Sequence, residues 1–150
     1  MLHLVDQITY MIFGLHTAIG CNGVSNNPSG IVRSPNYPQA YPNNIDCTYV
    51  IDIPTSTELD RIQIDFRDLR LEPNMDFLYY GVGTDGSDLS AALGSFTGGG
   101  LQEALVVDGT QMWFRFVSDN TIGQRGFNLT WTKNSPQGMK RLDEGYLNGL

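Results

Sequence analysis

Ser34-Pro35-Asn36-Tyr37-Pro38-Gln39-Ala40-Tyr41-Pro42-Asn43-Asn44-Ile45-Asp46-Cys47 holds three prolines, two tyrosines and three asparagines in one short run. Proline fixes φ, removes a backbone donor and biases the residue before it towards extended geometry. Pro35, Pro38 and Pro42 therefore exclude a helix here, and they argue against a central strand, which would lose ladder hydrogen bonds. The run reads as a defined, aromatic-studded connection that delivers the chain to Cys47 at the head of a strand.

Downstream of Cys47 the apolar residues alternate. Tyr49, Ile51 and Ile53 alternate with Val50 and Asp52 until Pro54-Thr55-Ser56-Thr57 breaks the pattern. Ile62, Ile64 and Phe66 alternate with Arg61, Gln63 and Asp65, a half-buried strand with one wet face. Phe77–Val82 is an aromatic strand, followed by the loop Gly83–Asp88 and then a helical turn or short strand at 89–93. Thr97-Gly98-Gly99-Gly100 makes a flexible corner, and Ala104–Val107 is a strand running into a tight turn at Asp108-Gly109. Met112, Phe114 and Phe116 form one more alternating set, and Phe127, Leu129 and Trp131 form the last. Ile31-Val32-Arg33 is a short strand ahead of the proline run, and residues 22–30 read as loop. Trp131 is in phase with the core set. Trp113 is out of phase, so it lies on a second buried face or at a contact surface. Short strands between Gly, Pro and Asn turns, with no long helix, predict an all-β sandwich.

A chain of 150 residues suffices for one ordinary domain. Its formal net charge of −7 argues against nucleic acid as partner, because phosphates call for a basic face. No stretch reaches the length of a membrane span. Residues 1–20 carry an apolar patch at Tyr10–Leu15 but no basic start, so they read as a poor signal peptide or an upstream remnant. Residues 133–150 have the composition of a linker or disordered tail. The two cysteines, Cys21 and Cys47, lack the CxxC and clustered histidines of a zinc site. A disulfide is the better reading than two buried free thiols, and it implies an oxidising compartment.

Catalytic constellations are missing. Both histidines, His3 and His16, lie in the N-terminal segment, so a serine triad has no core histidine to use. There is no HExxH, no GxSxG and no phosphate loop with its lysine. The chain is expected not to be an enzyme. The acidic residues are informative by position. Asp68, Glu72 and Asp76 follow the Ile62–Phe66 strand, and Asp119 ends the Met112–Phe116 strand. Strand ends of a sandwich cluster at two poles, so these loops could converge and offer the oxygen-rich coordination calcium takes. Solvated carboxylates at strand ends are the common alternative.

Cys21, Gly30-Ile31, Ser34-Pro35-Asn36-Tyr37-Pro38, Tyr41-Pro42-Asn43-Asn44 and Cys47, in that order, resemble the opening of a CUB domain. The resemblance covers residues 21–132. It implies a jelly-roll-like sandwich of two antiparallel sheets, a Cys21–Cys47 disulfide and a secreted, extracellular chain. Many CUB domains hold one Ca²⁺. Carried over residue by residue, the resemblance puts Glu72 of Phe66–Glu72, Asp76 of Met75–Tyr79 and Asp119 of Ser118–Asn120 on the ion, with Tyr41 supporting them by hydrogen bonding. Asp68 matches no ligand position. One departure is that the second disulfide common in the family is absent: Pro73-Asn74-Met75 and Thr97 stand where its cysteines would be, and Pro73 stiffens a short Glu72–Asp76 connection. The family role implied is calcium-dependent recognition of an extracellular protein through a basic side chain. Alternatives are a substrate-selecting piece of a larger secreted protease, or a stand-alone carbohydrate- or lipid-binding protein. In a secreted chain Asn128-Leu129-Thr130 is a glycosylation acceptor, with Asn128 expected to point outward.

Overall fold

The structure, a computed structural model, describes residues 18–54 and 57–136. The readings of 1–17 and of 137–150 therefore fall outside the described residues. Among the described residues ten strands form: β1 (Ala18–Ile19), β2 (Val24–Ser25), β3 (Ser29–Arg33), β4 (Asp46–Asp52), β5 (Arg61–Arg70), β6 (Phe77–Val82), β7 (Gly94–Phe96), β8 (Leu105–Asp108), β9 (Gln111–Val117) and β10 (Gly126–Asn134). They make two five-stranded sheets, in the orders β1-β3-β10-β5-β8 and β2-β4-β9-β6-β7. The long ladders are antiparallel as expected. Two short edge pairs, β1 with β3 and β2 with β4, are parallel, so both sheets are mixed.

The alternating sets do what their period requires, because successive strand residues face opposite sides. Tyr49, Ile51, Ile62, Ile64, Phe114, Phe116, Phe127, Leu129 and Trp131 all turn inward and are essentially solvent-free. β5 runs further than the alternation of Ile62–Phe66 shows. A register shift against β10 sets Phe66 opposite Leu129 and Asp68 opposite Asn128, leaving Arg67 as the extra residue of a bulge. One extra residue moves the inward phase from Phe66 to Leu69, which is buried, and so hides the strand's continuation from a period-two reading. The turn at 89–93 is a short 3-10 helix at Leu89–Ala91. β2 forms within the stretch expected to be loop.

Trp113 is buried on a second face. It is 1% exposed yet stands outside the inter-sheet cluster. Gly81 lies opposite it on β6, where a Cβ would come within 2.4 Å of the indole, and Gly86 of the 83–88 loop closes over it from solvent. Arg115 fastens that loop by donating to the Gly86 and Ser87 carbonyls, while its guanidinium pairs with Asp46.

Cys21 and Cys47 form the disulfide, with Cα atoms 4.9 Å apart across a separation of 26 residues. A closure of that size stabilises by about 3–4 kcal/mol in the chain-entropy model. The proline run is held at both ends. Asn36 and Asn44 take positive φ (63° and 57°), which asparagine tolerates well. Tyr41 is buried, its N–H bonds the Gln124 carbonyl, and its ring meets Phe116 edge-on at 4.9 Å. The connection thus carries a tyrosine down into one pole of the sandwich. β10 extends through Lys133 and Asn134, and Ser135 donates to Asp60 at 2.6 Å. Among the described residues no helix is long and apolar enough to cross a membrane.

Candidate metal centre

Three strand ends meet at the pole that Tyr41 enters. Glu72 follows β5 by two residues, Asp76 immediately precedes β6, and Asp119 follows β9 by two. The Glu72–Asp76 connection is a tight turn. Both the Met75 and Asp76 N–H groups donate to the Glu72 carbonyl, at 3.3 and 3.2 Å, and Asn74 takes φ 61°. Thr97 braces the turn from outside. Its hydroxyl donates to the Glu72 carbonyl at 3.2 Å and accepts the Asn74 N–H at 2.9 Å. Asn74 and Thr97 occupy the region where the second disulfide would lie, so hydrogen bonds here join the segments that a covalent bond would otherwise tie.

The turn is short enough to bring the carboxylates together. Glu72, Asp76 and Asp119 each offer an oxygen within 4.8 Å of the others. Asp76 is fully buried. One of its oxygens accepts the Tyr41 hydroxyl at 2.5 Å and the other accepts the Asp119 N–H at 2.8 Å. Tyr41 in turn accepts the Glu72 N–H at 3.0 Å. A single phenolic oxygen therefore fixes both ends of the turn. Burial, with Asp76 beside it, pushes the Tyr41 hydroxyl far up, so it remains a donor. Asp119 is oriented by the N–H and hydroxyl of Thr121, whose hydroxyl also lies 3.4 Å from Glu72. Its loop is anchored by the Asn44 N–H on the Asp119 carbonyl at 2.7 Å, and by Ser118, which donates to the Pro42 carbonyl.

The electrostatics of the three are unfavourable as they stand. Burial, then the charges of Asp119 and Asp76, hold the Glu72 carboxyl above its ordinary value. None of the ion pairs among the described residues involves Glu72, Asp76 or Asp119. The donor set is oxygen throughout, and both cysteines are in the disulfide. Oxygen-only ligands with net negative charge suit a hard divalent cation such as calcium, and not zinc or copper.

Asp68, which matches no ligand position of the family, belongs to a separate network. Arg125 pairs with it at 2.5 Å and the Tyr37 hydroxyl donates to it at 2.9 Å. Burial pushes the Asp68 carboxyl up, but Arg125 and Tyr37 outweigh this and hold it below the usual range. Asn128 lies on β10 between Arg33 and Asp68, half-buried, and its side-chain oxygen accepts from Arg33 at 3.3 Å. Thr97, Ser118 and Thr121 were missed in the sequence because their roles depend on which loops converge. Lone hydroxyl residues in turns carry no such signal.

The sequence pattern of the CUB domain matches residues 21–131. The chain belongs to the CUB domain family. Among curated relatives, this CUB domain is 37% identical over 109 residues to fibropellin-1 of Strongylocentrotus purpuratus, covering 69% of the chain and 10% of that protein. It is 33% identical over 112 residues to human tolloid-like protein 1, covering 73% and 11%. It is 34% identical over 110 residues to human cubilin, covering 72% and 3%. The chain thus spans a small fraction of each relative. Among solved structures, the CUB2 domain of MASP-1 bound to Ca²⁺ superposes with a TM-score of 0.64 at 22% identity, covering 75% of this chain and 99% of that one. The extracellular region of zebrafish Gpr126/Adgrg6 gives 0.65 at 26% identity, covering 77% and 15%.

Proposed function

We propose that this chain is a non-catalytic extracellular CUB module that recognises other proteins through a calcium ion held by Glu72, Asp76 and Asp119. The observation that carries the reading is the convergence of three carboxylate oxygens within 4.8 Å, with no cationic side chain among the described residues paired to them. The calcium-bound MASP-1 CUB2 domain supports the choice of ion. The disulfide supports an oxidising compartment. Calcium supplies the positive charge that lets three carboxylates share one pole. The chain's own residues then do the rest. Tyr41 and the Asp119 N–H hold Asp76 in place. Thr121 steers Asp119. Lone pairs left over on the partly exposed Glu72 and Asp119 carboxylates would accept charge-assisted hydrogen bonds from a lysine or arginine of the partner. A place as the substrate-selecting module of a larger secreted protease would use the same pole.

A binding screen against an array of extracellular proteins, run in calcium and repeated in EDTA, tests this. The expected binder is lost in EDTA, lost with Asp119→Ala, and lost when one lysine or arginine of the partner is neutralised. Binding that survives both EDTA and Asp119→Ala refutes the proposal.

A further inference from the structure

The chain carries net charge −7, yet β5 carries two arginines, Arg67 and Arg70, in excess of the carboxylate beside them. Arg61, Arg115, Arg125 and Lys133 are each paired with a carboxylate. Arg67 and Arg70 have no carboxylate within ion-pairing distance among the described residues. Arg70 feels the charge of Asp68, but that carboxylate is already held by Arg125 and Tyr37.

These two arginines line one cavity. β5 pairs with β8 as far as Ile64 with Leu105, and pairing resumes only where Arg70 meets Gly99. Both contacts lie in the same register, so Asp65–Leu69 and 100–104 run alongside each other as unpaired flanks of equal length. The opening between them has a volume of about 210 Å³ and is lined by Phe66 to Arg70 of β5, Asp68 included, and by Gly100 and Leu101. The β5 bulge lies in this stretch. Bulges re-aim a side chain out of the ladder, and here the extra residue is Arg67. Leu101, across the slot, is wholly exposed.

We propose that this slot between β5 and the 100–104 segment is a second recognition site, taking an acidic side chain of a partner protein independently of calcium. Arg67 and Arg70 line the slot with apolar Phe66 and Leu101, and the one carboxylate there, Asp68, is already held by Arg125 and Tyr37, so two arginines are left to suit a carboxylate borne on a short apolar stem. A long polyanion such as a sulfated glycan is disfavoured, since a net charge of −7 repels it beyond the slot. The site differs from the acidic pole in sign and in dependence on metal, so it goes beyond the calcium reading and stands or falls separately.

The test is a titration of the folded chain followed by ¹⁵N NMR, including the arginine Nε signals. The probes are the peptide acetyl-Leu-Glu-Leu-Glu-amide, its glutamine counterpart and a heparin oligosaccharide. The glutamate peptide is expected to shift residues 66–70 and 100–101 saturably, equally in calcium and in EDTA. Arg67→Gln and Arg70→Gln are each expected to weaken it by up to about fivefold, the scale of an exposed charge pair, with unchanged melting temperatures. Equal shifts with the glutamine peptide, undiminished binding by both variants, shifts confined to the acidic pole, or preferential saturation by heparin would each overturn the proposal.

Discussion

Tyr41 and Tyr49 make a matched pair for testing how the pole is built. Both side chains are buried, and burial pushes both hydroxyls far above the ordinary tyrosine range. Their hydrogen bonding differs. Tyr41 donates to Asp76 and accepts the Glu72 N–H, whereas the Tyr49 hydroxyl has no hydrogen-bond partner among the described residues. Removing one oxygen from each should therefore have opposite consequences. Tyr41→Phe strips a charge-assisted bond from a buried carboxylate and leaves an N–H unpaired, a loss of about 2–4 kcal/mol. Tyr49→Phe removes a desolvated hydroxyl that bonds nothing, so it should be neutral or stabilising, within about 0.5 kcal/mol of no destabilisation. At about 4 °C per kcal/mol for a domain of this size, Tyr41→Phe should melt roughly 8–16 °C lower and Tyr49→Phe no lower than the parent. Urea unfolding with unchanged slope would confirm that stability, and not the unfolded state, has moved. Equal losses in the two variants, or no loss in Tyr41→Phe, would refute the reasoning that Tyr41 acts through its hydroxyl.

Gly81→Ala places a Cβ 2.4 Å from the Trp113 indole, and overpacking of that kind costs about 1–3 kcal/mol; denaturant midpoints would show it, and no change would mean that the second face is loosely packed. Asp60 is buried and held by Thr57, Lys133 and Ser135, with Ser135 and Thr57 chiefly holding its carboxyl well below its ordinary value of 3.8. A depressed carboxyl adds stability above its unfolded value, and that stability is lost as pH falls. Asp60→Asn should thus be less stable at neutral pH and show a shallower stability loss below pH 3.8, with slope remaining from Asp46, Asp68, Asp85 and Asp88, which are also lowered. Parallel pH–stability curves for parent and variant would contradict this.

The inward strands were legible because apolar residues recur with period two wherever one face is buried. Ile62–Phe66 and Met112–Phe116 are examples. The end of β5 was not legible, since the bulge at Arg67 breaks that period in mid-strand. Trp113 illustrates a different limit. Its phase told that it leaves the main core, but its cover comes from Gly86 in a loop whose fold-back no local pattern encodes. Asp68 looked like any solvated carboxylate because its partners, Tyr37 and Arg125, are distant in the chain. Strand-end position made Asp68, Glu72, Asp76 and Asp119 candidates to converge at a pole, and the family resemblance singled out Glu72, Asp76 and Asp119 among them. Glu72 and Asp76 are close in sequence, but Asp119 reaches them only through the pairing of β6 with β9.

Thermal unfolding of the non-reduced chain in calcium and in EDTA, with Asp119→Ala alongside, tests the central claim most directly. A ligand at a hundred times its dissociation constant stabilises by about 2.7 kcal/mol, so calcium should raise the melting temperature by roughly 10 °C. That rise should vanish in Asp119→Ala, while its melting in EDTA stays close to that of the parent. Identical melting of the parent in calcium and in EDTA, or a calcium shift that persists without Asp119, would contradict the account.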